Sequence, residues 1–167
     1  MIDEQPQLIV IAGVPGSGRS TFARCYKNAF IHSLPIKPVK EGISGGESFA
    51  TLMTLAQPED MLNLQKAHRR GYRITIYYLF TGKLLSMLRA GYRQVVEGVP
   101  FNESSFRKNY AASYKGLIST YQRSEIVFFI RNQKEFEFLA AYDPKKTSLE
   151  VFSKALKVVK TSVDAIK

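Results

Sequence analysis

Gly13-Val-Pro-Gly-Ser-Gly-Arg-Ser20 has the form G-x-x-x-x-G-R-S, a P-loop in which arginine stands where lysine is usual. Its flanks give it meaning. Leu8 to Ala12, just before it, are apolar and mostly β-branched, as in a strand buried on both faces of a parallel sheet. Ser20 to Asn28, just after it, contain no Gly or Pro and predict a helix. Gly13, Gly16 and Gly18 permit backbone conformations closed to other residues. Successive N–H groups can then converge on phosphate oxygens, helped by the unpaired N–H groups at the helix start. The candidate nucleotide-binding residues are therefore Gly13, Val14, Pro15, Gly16, Ser17, Gly18, Arg19, Ser20 and Thr21. Ser20 is the candidate Mg²⁺ ligand. Arg19 is placed to reach the β- and γ-phosphates of ATP as a planar fork rather than a point charge. The alternative is a tight strand-to-helix turn that binds nothing.

Composition narrows the setting. A chain of 167 residues suits one domain, here 1–167, with one core. A hydrophobic content of 45% excludes a disordered chain. No apolar run reaches the ~18 residues of a membrane span, so no membrane partner is expected. Met1 to Gln7 lack the basic and apolar regions of a secretion signal. The single Cys25 has no partner for an intramolecular disulfide, which fits a cytoplasmic protein, and it reads as a packed residue of the first helix. Net charge is +10, which suits anionic partners. The charge is dispersed in short clusters such as Lys66 to Arg73, with no basic run interleaved with aromatics, so nucleic acid is not expected as the main partner.

Outward from the P-loop, the chain alternates strands and helices. Ala29 to Ser33 predicts a short second strand closed by Pro35 and Pro38, with His32 at its end as a structural residue. Ile36 to Gly46 reads as loop, from its glycines and charges. Phe49 to Leu55 is a short strand. Pro58 to Arg70 is a helix with Pro58 in its first turn, Glu59 and Asp60 at its positive end and Gly71 as a left-handed cap. Arg73 to Phe80 is the clearest strand after the first. A helix follows from about Gly82 to Gln94, with Leu84, Leu85, Leu88 and Tyr92 on one side. Asn102 to Arg123 predicts a long helix capped by Asn102, with Arg107, Tyr110 and Tyr114 on one face. Glu125 to Ile130 is a buried strand. Thr147-Ser-Leu-Glu150 forms a capping box that opens a terminal helix with Leu149, Phe152, Leu156, Val159, Val163 and Ile166 on its core side. The alternation predicts a three-layer α/β fold with a mainly parallel sheet. Ligands in such sheets bind beyond the carboxyl ends of the strands, where the P-loop, His32 to Leu34 and Arg131-Asn132 would lie.

In order and spacing these stretches resemble the zeta toxin family of P-loop kinases. Four of them carry the likeness: Gly13 to Thr21; Phe30-Ile-His-Ser-Leu-Pro-Ile36; Phe49-Ala-Thr-Leu-Met-Thr-Leu55 with Ala67-His-Arg-Arg-Gly-Tyr-Arg-Ile-Thr-Ile-Tyr-Tyr78; and Glu97-Gly-Val99 through Phe106-Arg-Lys-Asn-Tyr110. They span roughly residues 7 to 132. The resemblance implies a P-loop kinase-like fold, ATP and Mg²⁺ as cofactors, a small hydroxyl acceptor such as UDP-N-acetylglucosamine or another UDP-sugar, and an antitoxin-like protein partner. It implies that Arg107, with Arg123 or Arg131 as further candidates, neutralises phosphate charge beside Arg19. The departures are equally specific. Leu34 falls where the family has the aspartate that acts as base on the acceptor. Leu52 replaces a glutamate, Val99 a histidine and Arg19 the lysine. Gly13, Gly16, Gly18, Ser20, Thr54, Arg107 and Tyr110 match. Glu41 or Glu47 is left as a carboxylate that could enter the site from the loop after Ile36.

The residues leave three readings open. The first is an ATP-dependent small-molecule kinase. The second is a kinase-like protein that has lost catalysis and acts as a nucleotide- or protein-binding regulatory module, since leucine can neither accept a proton nor orient a hydroxyl. The third is a basic nucleic-acid-binding protein on a P-loop scaffold.

Overall fold

Strand β1, Gln7–Gly13, is an interior strand of a five-stranded sheet of order β2-β1-β3-β4-β5, seen in a computed structural model that describes residues 4–165. Its neighbours β2 (Phe49–Met53) and β3 (Arg73–Phe80) both run parallel to it, and β4 (Ile126–Asn132) runs parallel to β3. The run Leu8 to Ala12 is apolar throughout because both of its faces are covered. Leu8, Val10 and Ala12 join one core cluster with Ile74, Ile76, Tyr78 and Phe129, while Ile9 and Ile11 join another with Phe22, Tyr77, Leu79 and Ile130. The first cluster is roofed by α2 (Val39–Gly45), α3 (Pro58–Arg69), α5 (Glu103–Tyr121) and α6 (Leu149–Asp164). The second has only α1 (Arg19–Cys25) and the turn after it. This is the expected α/β fold with a mainly parallel sheet flanked by helices, its layers unequal in weight.

Several local expectations hold for the stated reasons. Gly71 caps α3 with φ 83°, and Asn102 caps α5 by accepting from Ser105 N at 2.9 Å. Tyr121 of α5 stacks on Phe152 of α6 with ring centroids 3.7 Å apart.

Others are corrected. Ala29 to Ser33 is a turn, not a strand: His32 and Ser33 have φ 52° and 57°, left-handed backbone that no strand contains. What remains of a strand on that edge is a single parallel bridge between Ile36 and Ala50, with Lys37 N donating to Ala50 O and Ala50 N to Pro35 O, each at 2.9 Å. Pro35 and Pro38 have no N–H with which to extend it. Helix α2 occupies the predicted loop. Its glycines mislead, because Gly42 is a packing residue: a Cβ there would lie 2.2 Å from the Phe49 ring. Helix α1 ends at Cys25, which is exposed rather than packed. Strand β5 (Phe136–Tyr142), antiparallel on β4, escapes a sequence reading because its half-exposed edge pattern lacks a buried apolar run. The cap of α6 is Ser148, accepting from Val151 N at 3.3 Å, one residue later than the expected box. Thr147 instead offers its carbonyl to the Tyr121 hydroxyl at 2.8 Å. Ile166 lies outside the described residues.

Helix α4 (Lys83–Glu97) is turned the unusual way. Ser86 is fully buried and Arg89 half-buried against the sheet end. Of the predicted apolar side, Leu84, Leu88 and Tyr92 face solvent, exposed by 56, 60 and 66%, while Leu85 is half-buried; Val95, further along the helix, is exposed by 85%.

Helix α5 approaches the chain after β2 so closely that a Cβ on Gly116 would sit 1.8 Å from the Leu55 carbonyl oxygen. Gly116→Ala is expected to destabilise the fold by about 2 kcal/mol or more through overpacking, read as a lower urea midpoint with an unchanged slope.

Candidate functional site

The P-loop leaves β1 at Gly13, and its shape is dictated by lack of room. A Cβ on Gly13 would lie 2.7 Å from the Leu79 carbonyl, one on Gly16 2.4 Å from the Ser86 carbonyl, and one on Gly18 2.5 Å from the Asn132 amide nitrogen. Gly16 and Gly18 have φ 78° and 88°, in the left-handed region that glycine occupies freely. The turn is closed by Ser17 N donating to Val14 O at 3.1 Å. Asn132, at the end of β4, donates its side-chain amide to Ser17 O at 2.8 Å. Arg89 of α4 reaches the carbonyls of Gly16, Asn132 and Gln133 at 3.4, 3.5 and 3.1 Å. The loop is therefore pinned from α4 on one side and β4 on the other.

Two groups of the loop lack partners among the described residues. The Ser17 hydroxyl is buried and makes no hydrogen bond. Arg19 makes no ion pair. Burial pushes the Arg19 guanidinium below the ordinary arginine value, the Asp60 carboxylate opposes the shift, and Arg93 adds to it. The group still carries its charge at neutral pH. Asp60, held in the first turn of α3 by the Gln57 backbone at 3.4 Å, is itself pushed above the usual carboxylate range by burial.

A cavity of about 990 Å³ opens over the loop, large enough for a nucleotide. Gly16, Gly18, Arg19, Ser20 and Thr21 line it together with Arg24, Leu88, Arg89, Tyr92, Arg93, Asn132, Lys134 and Phe136, and with two carboxylates at the rim, Glu135 and Glu97, the latter paired with Arg93 at 3.1 Å. The predicted P-loop residues are thus brought together, with Val14 buried beneath them and Pro15 facing a smaller cavity beside Arg93 and Val99. Asn132 lies at the strand end where the sequence placed it, and Arg89 and Arg93 are the contributors that sequence reasoning passed over. The Arg89/Arg93 pair at i, i+4 was the available signal, masked by the apolar stripe of the same helix.

A second cavity, of about 470 Å³, meets the first at Ser20 and Arg24. Its other walls are Ala23, Lys27, Ser33, Leu34, Pro35, Ile36 and Leu52. Leu34 and Leu52, the residues that the family resemblance aligns with two carboxylates, stand here on one cavity wall with Ser20. Among the described residues no Asp or Glu lines this cavity. Glu41 is exposed on α2, and Glu47 borders a different cavity with Gln7 and Arg73 at the start of their strands, the opposite end of the sheet.

Arg107 is placed elsewhere. It is half exposed on α5 and bound by Glu103 through Nε and Nη2 at 2.9 and 2.6 Å, and it lines neither cavity. Tyr110 and Tyr114 are buried, Tyr110 donating to Asp164 at 2.6 Å and Tyr114 to Tyr110 at 3.4 Å. Arg131 pairs with Glu137, and Arg123 donates to Ser119 O at 3.0 Å. Thr54 accepts from Ala56 N at 3.1 Å and offers its carbonyl to Ser113. Among the described residues no cluster of three His, Cys, Asp or Glu could hold a metal ion, and no helix is long and apolar enough to cross a membrane.

The residues present fit a nucleotide: an orphaned buried hydroxyl, a glycine loop with no room for side chains, and an unpaired, desolvated guanidinium. They also fit Mg²⁺ in the manner of phosphate-bound magnesium, with one protein oxygen from Ser20 and the remaining ligands from phosphates and water.

No family model matches the sequence, and no curated protein matches it. Solved structures do match. A chain from the PezAT chromosomal toxin–antitoxin system of Streptococcus pneumoniae is 13% identical, with a TM-score of 0.58, over 96% of this chain and 86% of that one. A chain of the native AvrRxo1-ORF1:AvrRxo1-ORF2 complex is 12% identical, with a TM-score of 0.64, over 98% of this chain and 66% of that one. A structure of the same complex with ATP matches at 11% identity and a TM-score of 0.52, over 99% of this chain and 66% of that one. The chain shares the fold of these proteins, the architecture that the zeta toxin resemblance implies.

Gly18→Ala would drive a methyl into the Asn132 amide at a left-handed position. The expected result is a loss of about 1–3 kcal/mol of stability in urea unfolding.

Proposed function

We propose that this protein is a zeta-toxin-like P-loop protein of the kinase type, binding ATP with Mg²⁺ in the cleft over Gly13 to Thr21. The observation that carries the reading is Arg19, a charged and largely desolvated guanidinium without an ionic partner among the described residues, set on a loop whose backbone is held open for phosphate. The polyphosphate would take its place on the loop N–H groups, Arg19 would bridge the β- and γ-phosphates, and Ser20 would hold the metal. Tyr92, Leu88 and Phe136 offer apolar surface for the base. Bound magnesium supplies charge neutralisation on the phosphates. A structure of the fold neighbour AvrRxo1-ORF1:AvrRxo1-ORF2 determined with ATP supports the reading. A cytoplasmic location accords with it.

In its fullest form the reading is transfer of the γ-phosphate to a small acceptor in the cavity beside Ser20. A UDP-sugar is the acceptor that the family resemblance suggests. A specific observation favours the second reading, a nucleotide-binding regulatory module: the Leu34–Leu52 pair leaves a hydroxyl acceptor with no base. For catalysis Arg19 is the residue proposed, and Arg107 would act only after leaving Glu103.

A protein partner is part of the proposal. The solvent face of α4 carries Leu84, Leu88, Tyr92 and Val95, and Leu88 and Tyr92 also border the nucleotide cavity among Arg24, Arg93 and Lys134. An apolar stripe on a chain of net charge +10, with Arg24 and Lys134 beside it and Arg93 paired to Glu97, complements an acidic amphipathic segment and disfavours a second copy of itself. Such a partner, antitoxin-like in kind, would cover the nucleotide cleft. The fold neighbours come from a toxin–antitoxin system and from a two-protein complex.

Calorimetric titration with ATP and Mg²⁺ tests the core reading. Saturable binding is expected, weakened about tenfold or more in Arg19→Ala by loss of charge-assisted hydrogen bonds; no binding at millimolar ATP would reject it. A photocrosslinker at position 88 tests the partner. An acidic protein that lowers ATP affinity is expected, and crosslinks solely between copies of this chain would replace it with self-association.

A further inference from the structure

The cavity beside Ser20 has a chemistry of its own. Ser20 and Arg24 of α1, with Lys27 just beyond the helix, rim it. Neither Arg24 nor Lys27 is in an ion pair among the described residues. Leu34, Ile36 and Leu52 give it an apolar wall, with Ala23, Ser33 and Pro35 between them. The site therefore joins two uncompensated cations to an apolar surface and contains no proton acceptor of the carboxylate kind. Its volume of about 470 Å³ suits a small organic molecule.

Resting on the ATP reading above, we propose that the acceptor is a phosphomonoester with an apolar body, of the nucleoside monophosphate kind, and that the bond made is a phosphoanhydride rather than a phosphate ester. The argument is one of proton balance. An alcohol must lose its proton as its oxygen attacks, and the side chains at positions 34 and 52 cannot take it. A phosphomonoester, with its second pKa near 6, is already ionised at neutral pH. One of its oxygens attacks the γ-phosphorus of ATP. The new phosphorus–oxygen bond forms as the bond from the γ-phosphorus to the bridging oxygen breaks, and the electron pair departs on ADP. No proton moves.

What this reaction does require is relief of the repulsion between two phosphate anions. Arg24 borders both cavities and Lys27 stands on the acceptor's side, so cations lie where that repulsion is greatest. The leucines then have a positive role. A carboxylate at either position would repel the acceptor, whereas Leu34, Ile36 and Leu52 pack against its uncharged part.

The test begins with calorimetry of AMP-PNP and Mg²⁺, which examines the nucleotide site alone. The protein is then incubated with ATP, Mg²⁺ and matched pairs: AMP, GMP, CMP and UMP against adenosine, guanosine, cytidine and uridine. Products are identified by phosphorus NMR. Diphosphate formed from at least one monophosphate, with no transfer to any nucleoside, is the expected result. In Lys27→Ala, kcat/KM for that monophosphate should fall about tenfold with the KM for ATP little changed. Leu34→Asp should weaken monophosphate use. Transfer to a nucleoside hydroxyl overturns the proposal. AMP-PNP binding without transfer to any monophosphate also overturns it and leaves the ATP reading standing. Failure to bind AMP-PNP removes both.

Discussion

A shortage of space at three glycines governs this structure. Gly13, Gly16 and Gly18 each face a neighbouring backbone or amide group at a distance that admits no side chain. Those neighbours are Leu79 of β3, Ser86 of α4 and Asn132 of β4. The P-loop is thus wedged among three elements distant in sequence, and none can shift without moving it. The interior position of β1, the short reach from β3 into α4 and the hydrogen bond from Asn132 to Ser17 O are parts of one arrangement.

Helix α4 takes its orientation from that wedge. The side chains nearest the loop have to satisfy carbonyl groups, so the inward face carries Ser86 and Arg89 beside Met87 and Ala90, which pack on the core, and Leu84, Leu88, Val95 and Val96 are left outside. An amphipathic helix ordinarily buries its apolar stripe. Here local hydrogen bonding at the P-loop prevails over that tendency, and Leu84, Leu88, Tyr92 and Val95 are left for something other than this chain's own core.

The sequence was most legible where one structural demand acted alone. Leu8 to Ala12 and Arg73 to Phe80 are buried on both faces and read as strands at once; the P-loop read correctly because its glycines serve backbone geometry. Legibility failed where a residue served two ends. Gly42 looks like a loop residue but makes room for Phe49 within a helix. Tyr92 looks like core but points out, and Arg89 is inconspicuous because it sits among apolar neighbours. Ala29 to Ser33 has strand-like composition, but the bond from Ser33 N to Lys27 O and that from its hydroxyl to Asn28 stabilise a turn that composition alone does not reveal. The P-loop half of the candidate site could therefore be assembled from the sequence, and the neighbouring cavity could not, because α1 is joined there by that turn and by the far end of β2.

The single bridge between Ile36 and Ala50 separates two rates of change. Residues 26 to 38 form one wall of the cavity beside Ser20, yet a regular strand ladder does not tie them to the sheet. Substitutions at its exposed positions, such as Lys27 and Ile36, disturb little of the fold, whereas Ile31 is held in the core and substitutions at the P-loop disturb three elements together. A lineage of such proteins can thus reshape that cavity by altering the exposed positions of a segment outside the strand ladder, while the P-loop half stays as it is.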